Sequence, residues 1–173
     1  NSRSAARSTT AGNVAWAMLA LLGAYGQFHD VRYLAGARGL GDWVEAQCRD
    51  ARGGGGYTGG FEGWEPAPAK LLYKSTEHNL DLYVAFERLY LVTGEAPWHE
   101  RATHAKQFVE AMWDSAGGKF WTGTLDDGVT INQSTVPLDI QAWALLALRD
   151  EQPRYVRALA FAEQHHAVRG GFD

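Results

Sequence analysis

A chain of 173 residues with 46% apolar side chains can bury one sizeable core, and its net charge of -4 is spread without any Lys/Arg run. That balance excludes nucleic acid and anionic membranes as expected partners. No apolar run approaches the roughly 18 residues of a membrane span, and a lone Cys48 permits neither an internal disulfide nor a zinc site.

The unusual feature is 20 Gly beside 7 Trp, 7 Tyr and 7 Phe, gathered in the same short segments. In chain order, NVAWAMLALLGAYGQF (13–28) is apolar almost all round, DVRYLAGARGLGDWVEAQCRDA (30–51) has one apolar stripe, and GGGGYTGGF closes the unit. The pattern returns as HNLDLYVAFERLYLVTG (78–94), PWHERATHAKQFVEAMWD (97–114) and GGKFWTG, and again as LDIQAWALLALRD (138–150), PRYVRALAFAEQHHAV (153–168) and RGGFD. Apolar residues recurring at three and four predict six helices; Pro97 and Pro153 suit first turns, and Gly94 a C-terminal cap. TGTLDDGVT (122–130) predicts a short β-hairpin turning at Asp127-Gly128.

Three copies of apolar helix, amphipathic helix and Gly-aromatic turn make an all-α chain, an α/α toroid of inner and outer helices in a single domain. Together with KSTEHNLDLYVAF, FVEAMWDSAGGKFWTGT and TINQSTVPLDIQAWALLAL, these turns resemble bacterial proteins of the six-hairpin glycosidase-like superfamily, the (α/α)6 barrels. The resemblance implies a carbohydrate-active protein, foremost a glycoside hydrolase, with no cofactor or metal. Three hairpins are half of such a barrel, which at about 60 residues per unit needs roughly 350 to 400. Either this is a fragment or another copy supplies the missing walls, and exposed flanks then predict a homo-oligomer. The first residue is Asn rather than Met, so the compartment is open: cytoplasmic or, with a leader removed, periplasmic or secreted.

The long loops, 53–75 and 117–137, precede inner helices, so a site would gather at those helix N-termini. Each inner helix is entered through Ser-Thr, at Ser8-Thr9, Ser75-Thr76 and Ser134-Thr135, which reads as capping. What the second and third entrances add is acid. Glu77 and Asp81 share a face four residues apart, and Asp139 matches Asp81 if the Leu-Asp pairs align but Asn79 if the aromatics do. Glu77 alone could serve only the helix dipole, and Asp126-Asp127 only the hairpin turn.

Glycoside hydrolysis needs two carboxyls, one protonated and one ionised, facing each other across a sugar bond. The expected catalytic pair is Asp81 with Asp139, and Glu77 the alternate. His78, Asn79, Gln141 and the aromatics Tyr57, Trp64, Tyr73 and Trp121 are candidates to bind the sugar, with Phe61 and Phe120 also near. Sugar epimerases of the resembled barrel use His as acid/base, so His78 keeps an epimerase, and equally a lyase, in competition. A non-catalytic binding module is a further reading. A terpenoid cyclase-like toroid is disfavoured, because LDDG is too short for its acidic motif.

Overall fold

The computed structural model describes residues 9–64, 66–149 and 152–172. In chain order it contains β1 (Thr9–Thr10), α1 (Ala11–Phe28), α2 (Val31–Cys48), β2 (Gly60–Glu62), β3 (Ala69–Leu71), α3 (Thr76–Thr93) and α4 (Ala96–Ala111). There follow β4 (Trp113–Asp114), β5 (Lys119–Phe120), α5 (Leu138–Ala147), α6 (Gln152–Tyr155), α7 (Arg157–His166), β6 (Ala167–Val168) and β7 (Gly171–Phe172). Three helical hairpins therefore follow one another, α1 with α2, α3 with α4, and α5 with α6 and α7. The third outer helix, expected as one piece, is interrupted at Val156.

Helix ends follow local chemistry. Ser75 Oγ accepts from the His78 N–H at 3.3 Å to start α3, and Gly94, left-handed at φ 72°, donates to the Tyr90 carbonyl at 2.7 Å to end it. Pro97 lies in the first turn of α4. Among the described residues, Ser-Thr capping by the serine is seen at α3. Thr10 caps α1, Pro137 precedes α5 without a side-chain cap, Ser134 instead bonds Asn132, and Ser8 lies outside the described residues. One turn of sequence spacing was too coarse to fix the capping residue.

The Gly-aromatic turns are small antiparallel hairpins, each returning an aromatic to the end of its outer helix: Arg49 faces Tyr57, Trp113 faces Phe120, and Ala167 faces Phe172. The loop at Asp127-Gly128 closes through one antiparallel bridge, Thr124 with Ile131, and its turn has Gly128 at φ 72° donating to the Leu125 carbonyl.

Helix α3 lies between α1 and α5 and packs on α4, so it is inner in the full sense. Leu82, Ala85, Phe86 and Leu89 are fully buried on it, and Phe86 stacks on Trp98 at 6.1 Å. Each such large apolar side chain contributes about 2 kcal/mol by leaving water. A second core joins Leu80, Phe120, Ile140 and Tyr155, with Trp113 packed against it. Helices α1 and α5 keep one uncovered flank, where Phe28 and Leu146 are exposed.

Candidate functional site

The clearest account of the helix mouths comes from two amides. Asn79 accepts from the Tyr57 N–H at 2.8 Å and donates to the Tyr57 carbonyl at 3.1 Å and the Ser75 carbonyl at 2.8 Å. Gln141 does the same for the next unit, accepting from the Phe120 N–H at 2.8 Å and donating to the carbonyls of Phe120 and Pro137, each at 3.0 Å. Both side chains are fully buried, as is Tyr57. Asn79, Gln141 and Tyr57 are thus corrected from sugar-binding candidates to structural ones: their polar groups are consumed in tying each inner helix to the preceding turn. The Tyr57 hydroxyl is likewise engaged, donating to Glu45 at 2.7 Å.

These clamps fix the register between repeats. Asn79 and Gln141 are each the fourth residue of their helix, so Asp139 corresponds to Glu77, a register the acid and aromatic patterns did not offer. The second residues of the three inner helices are Gly12, Glu77 and Asp139, and the sixth are Trp16, Asp81 and Trp143. The sixth positions converge. The Trp16 and Trp143 rings meet edge-on at 5.3 Å, and the Trp16 side chain hydrogen-bonds the Asp81 carboxyl. Trp16, Trp143 and Gly12 were missed by sequence reasoning, although their constant offset from the helix start was the available signal.

Asp81 is 2% exposed, and its Oδ2 has no hydrogen-bond partner. Burial, together with the negative charges of Glu77 and Asp139 and against the Trp16 bond, pushes its carboxyl up to about 7. Glu77, half-buried, is raised as well, by burial first and then by Asp139. The structure therefore brings the three expected acids into one electrostatic cluster. Asp139 is the exposed member, with its Oδ1 held by the Ile140 N–H at 2.8 Å.

His78 follows Glu77 in the first turn of α3 and lies 6.5 Å, ring to ring, from Tyr73. Its ring lies against Gly12, where any Cβ would overlap it, and its Nδ1 is buried without a partner. Burial lowers its pKa, so the ring is neutral at pH 7. Next to it opens a cleft of about 680 Å³ lined by Tyr73, Ser75, His78, Thr122, Thr124, Asp126 and Asn132, among others. The Tyr73 phenol on its wall is pushed up by burial and then by the charges of Glu62, Asp126 and Glu77, which links the cleft to Glu77 alone of the three acids.

The remaining candidates are dispersed. Trp64 is 63% exposed in the β2–β3 loop, away from the lining of this cleft. Trp121 supports the turn, taking Lys119 over its ring at 4.3 Å and a hydrogen bond from Thr76 to its carbonyl at 2.7 Å. Phe120 is core, and Phe61 packs with Trp43 at 6.1 Å. Asp127 is committed to its own loop, accepting from the N–H groups of Val129 and Thr130, each at 2.8 Å, and from the Thr130 hydroxyl at 2.6 Å. No cluster of metal-ligating side chains occurs among the described residues, and no described helix is long and apolar enough to cross a membrane.

No protein-family model matches the sequence, and no curated protein does. Solved structures do match its shape. A family 76 glycoside hydrolase (mannosidase) of Bacteroides thetaiotaomicron superposes with TM-score 0.70 at 18% identity, over 91% of this chain and 44% of that one. An inactive variant of the α-1,6-mannanase of a Salegentibacter species, with two adjacent aspartates changed to asparagine and α-1,6-mannotriose bound, gives 0.67 at 18% identity, over 94% and 48%. A D-mannose isomerase gives 0.61 at 13% identity, over 89% and 39%. The chain thus has the fold of the α/α six-hairpin glycosidases and spans less than half the length of these proteins.

Proposed function

We propose that the chain is the sugar-cleaving half of an α/α toroid, hydrolysing a glycosidic bond with Asp81 as general acid and Asp139 as base or nucleophile. The observation that supports this most is the buried Asp81 carboxyl raised to about 7, with one oxygen unpartnered, two further acids acting on it, and Trp16, itself packed on Trp143, hydrogen-bonded to it. An acid of that pKa keeps a large protonated fraction at neutral pH and can donate its proton to a departing sugar oxygen, the role that two-carboxyl glycoside hydrolysis requires of its general acid. The flanking indoles suit the C–H faces of a pyranose.

In the mannanase neighbour the altered aspartates are adjacent. The one adjacent aspartate pair here is Asp126-Asp127, and the second of these is bound up in its loop, so Asp81 remains the better acid. Reducing-sugar release from a panel of mannans and other glycans tests the assignment. Asp81→Asn should lower turnover at least about 100-fold, and wild-type activity should fall as pH rises through about 7. Unchanged turnover in the variant sinks the assignment.

One observation favours a second reading, epimerisation or isomerisation of a monosaccharide: His78 is neutral with a buried, unpartnered Nδ1 at the cleft. In that case His78→Gln, rather than Asp81→Asn, abolishes activity, and solvent deuterium enters the sugar at carbon. Self-association is part of the proposal, since the open flank of α5 and α7 presents an apolar groove of Leu145, Leu146, Pro153, Val156 and Leu159.

A further inference from the structure

At 2% exposure, the Asp81 carboxyl has almost no surface to offer a substrate. Two indoles meet in front of it. Trp16 and Trp143 are the sixth residues of α1 and α5, the helices on either side of α3, as Asp81 is of α3 itself. Their rings touch edge-on at 5.3 Å, and the Trp16 side chain bonds the carboxyl. The two indoles are held differently. Trp143 is half-buried and packs against the second core. Trp16 is 50% exposed and packs into neither of the two cores described. Its neighbours on that face of α1 are Asn13, Ala17 and Ala20, all exposed and none large enough to block a turn of the ring. The mouth of α3, by contrast, is fixed by the Ser75 cap and the Asn79 clamp. Trp16 is therefore the side chain that can uncover Asp81 at least cost.

That cost is small. An edge-on aromatic pair and one neutral hydrogen bond each favour the closed form by about tenfold or less. Opening also lets water or a sugar oxygen reach the Asp81 Oδ2, a buried atom with no partner while the indoles are together. We propose that Trp16 is the moving leaf of an indole gate and Trp143 its fixed post: Trp16 swings off Trp143 to let a glycosidic oxygen reach the Asp81 carboxyl, and closes again between turnovers. This rests on the reading of Asp81 as the acid of a sugar-cleaving site.

The test needs no sugar. A water-soluble carbodiimide with glycinamide converts accessible carboxyls to amides, and peptide mass mapping at pH 6 compares Asp81 with the exposed Asp126 in the same digest. The slowest hydrogen exchange among residues 82–89 of α3 reports global opening separately. A closed form favoured by about 100-fold leaves Asp81 open roughly 1% of the time, whereas a folded domain is globally open on the order of one part in 1,000 or less. Asp81 should therefore label about 100-fold slower than Asp126, yet at least about tenfold faster than global opening allows. Trp16→Ala, which spares both cores, should bring Asp81 to within about tenfold of Asp126, and Trp16→Phe, which loses the N–H but keeps a ring, should fall between. Wild-type labelling of Asp81 only at the rate of global opening, labelling as fast as Asp126, or a rate unchanged in Trp16→Ala overturns the gate. Reducing-sugar release by the same proteins keeps the two readings apart. Gated labelling without hydrolysis of any glycan overturns only the hydrolase reading. Hydrolysis that is lost in Asp81→Asn, with Asp81 labelled only on global opening, overturns only the gate.

Discussion

At the scale of single residues, the site is held against its own stability. The Asp81 carboxyl titrates near 7 when folded but at 3.8 when unconstrained. The folded state therefore binds the extra proton between these values, and stability falls as pH rises from about 4 to 7. Asp81→Asn should consequently raise the melting temperature at pH 8, with a gain of roughly 2 to 4 kcal/mol, and change it little at pH 4. Thermal melts at the two pH values check this, and an equal effect at both would remove the burial account. Asn79→Ala should act in the opposite sense, since it orphans the buried Tyr57 N–H and carbonyl; a loss of about 2 to 4 kcal/mol in urea unfolding is expected. Gly12→Ala pushes a methyl into the His78 ring, so its first effect should be on the His78 NMR titration rather than on helix content.

At the scale of elements, most of the helices could be read from the sequence and their register could not. The 3.6-residue periodicity and Pro97 and Gly94 placed α1 to α4 within a few residues of their observed ends. The third pair was read too long, because α5 stops at Ala147 and Val156 breaks the outer helix into α6 and α7. Register failed for a physical reason: Ala15-Trp16 and Ala142-Trp143 look alike, whereas Leu80-Asp81 puts an acid where the others have an indole, so aligning aromatics displaces α3. Only the clamp by Asn79 and Gln141, a contact between residues 22 and 21 apart, restores it. The same clamp predicts that Gln141→Leu loosens the third hairpin alone. Hydrogen exchange should speed up across β4, β5 and α5 and leave α1 and α2 unchanged.

At the scale of the molecule, the flank of α5 and α7 presents apolar side chains to solvent. Leu146 is 69% and Val156 53% exposed on the α5 and α7 flank. If self-association uses that flank, Leu146→Arg with Val156→Asp should shift the chain to monomer in concentration-dependent sedimentation while leaving its circular dichroism intact. The coarse fold and the grouping of Glu77, Asp81 and Asp139 followed from the repeat and the helix mouths. The indole frame needed three dimensions, since Trp16 and Trp143 are far apart in the chain and close only because α1 and α5 flank α3.

The amide clamp also works as a docking rule, one that a sequence can be checked against. Tyr57 and Phe120 are each grasped by the fourth residue of the next inner helix, and Phe172 occupies the equivalent place at the end of the third turn. A hairpin that seats beside α5 and α7 in the same manner should bring Asn or Gln at its fourth helical residue. In α1 that residue is Val14, which has no amide to offer. An α1 hairpin seated there would therefore leave the Phe172 peptide without the amide grip that Tyr57 and Phe120 receive.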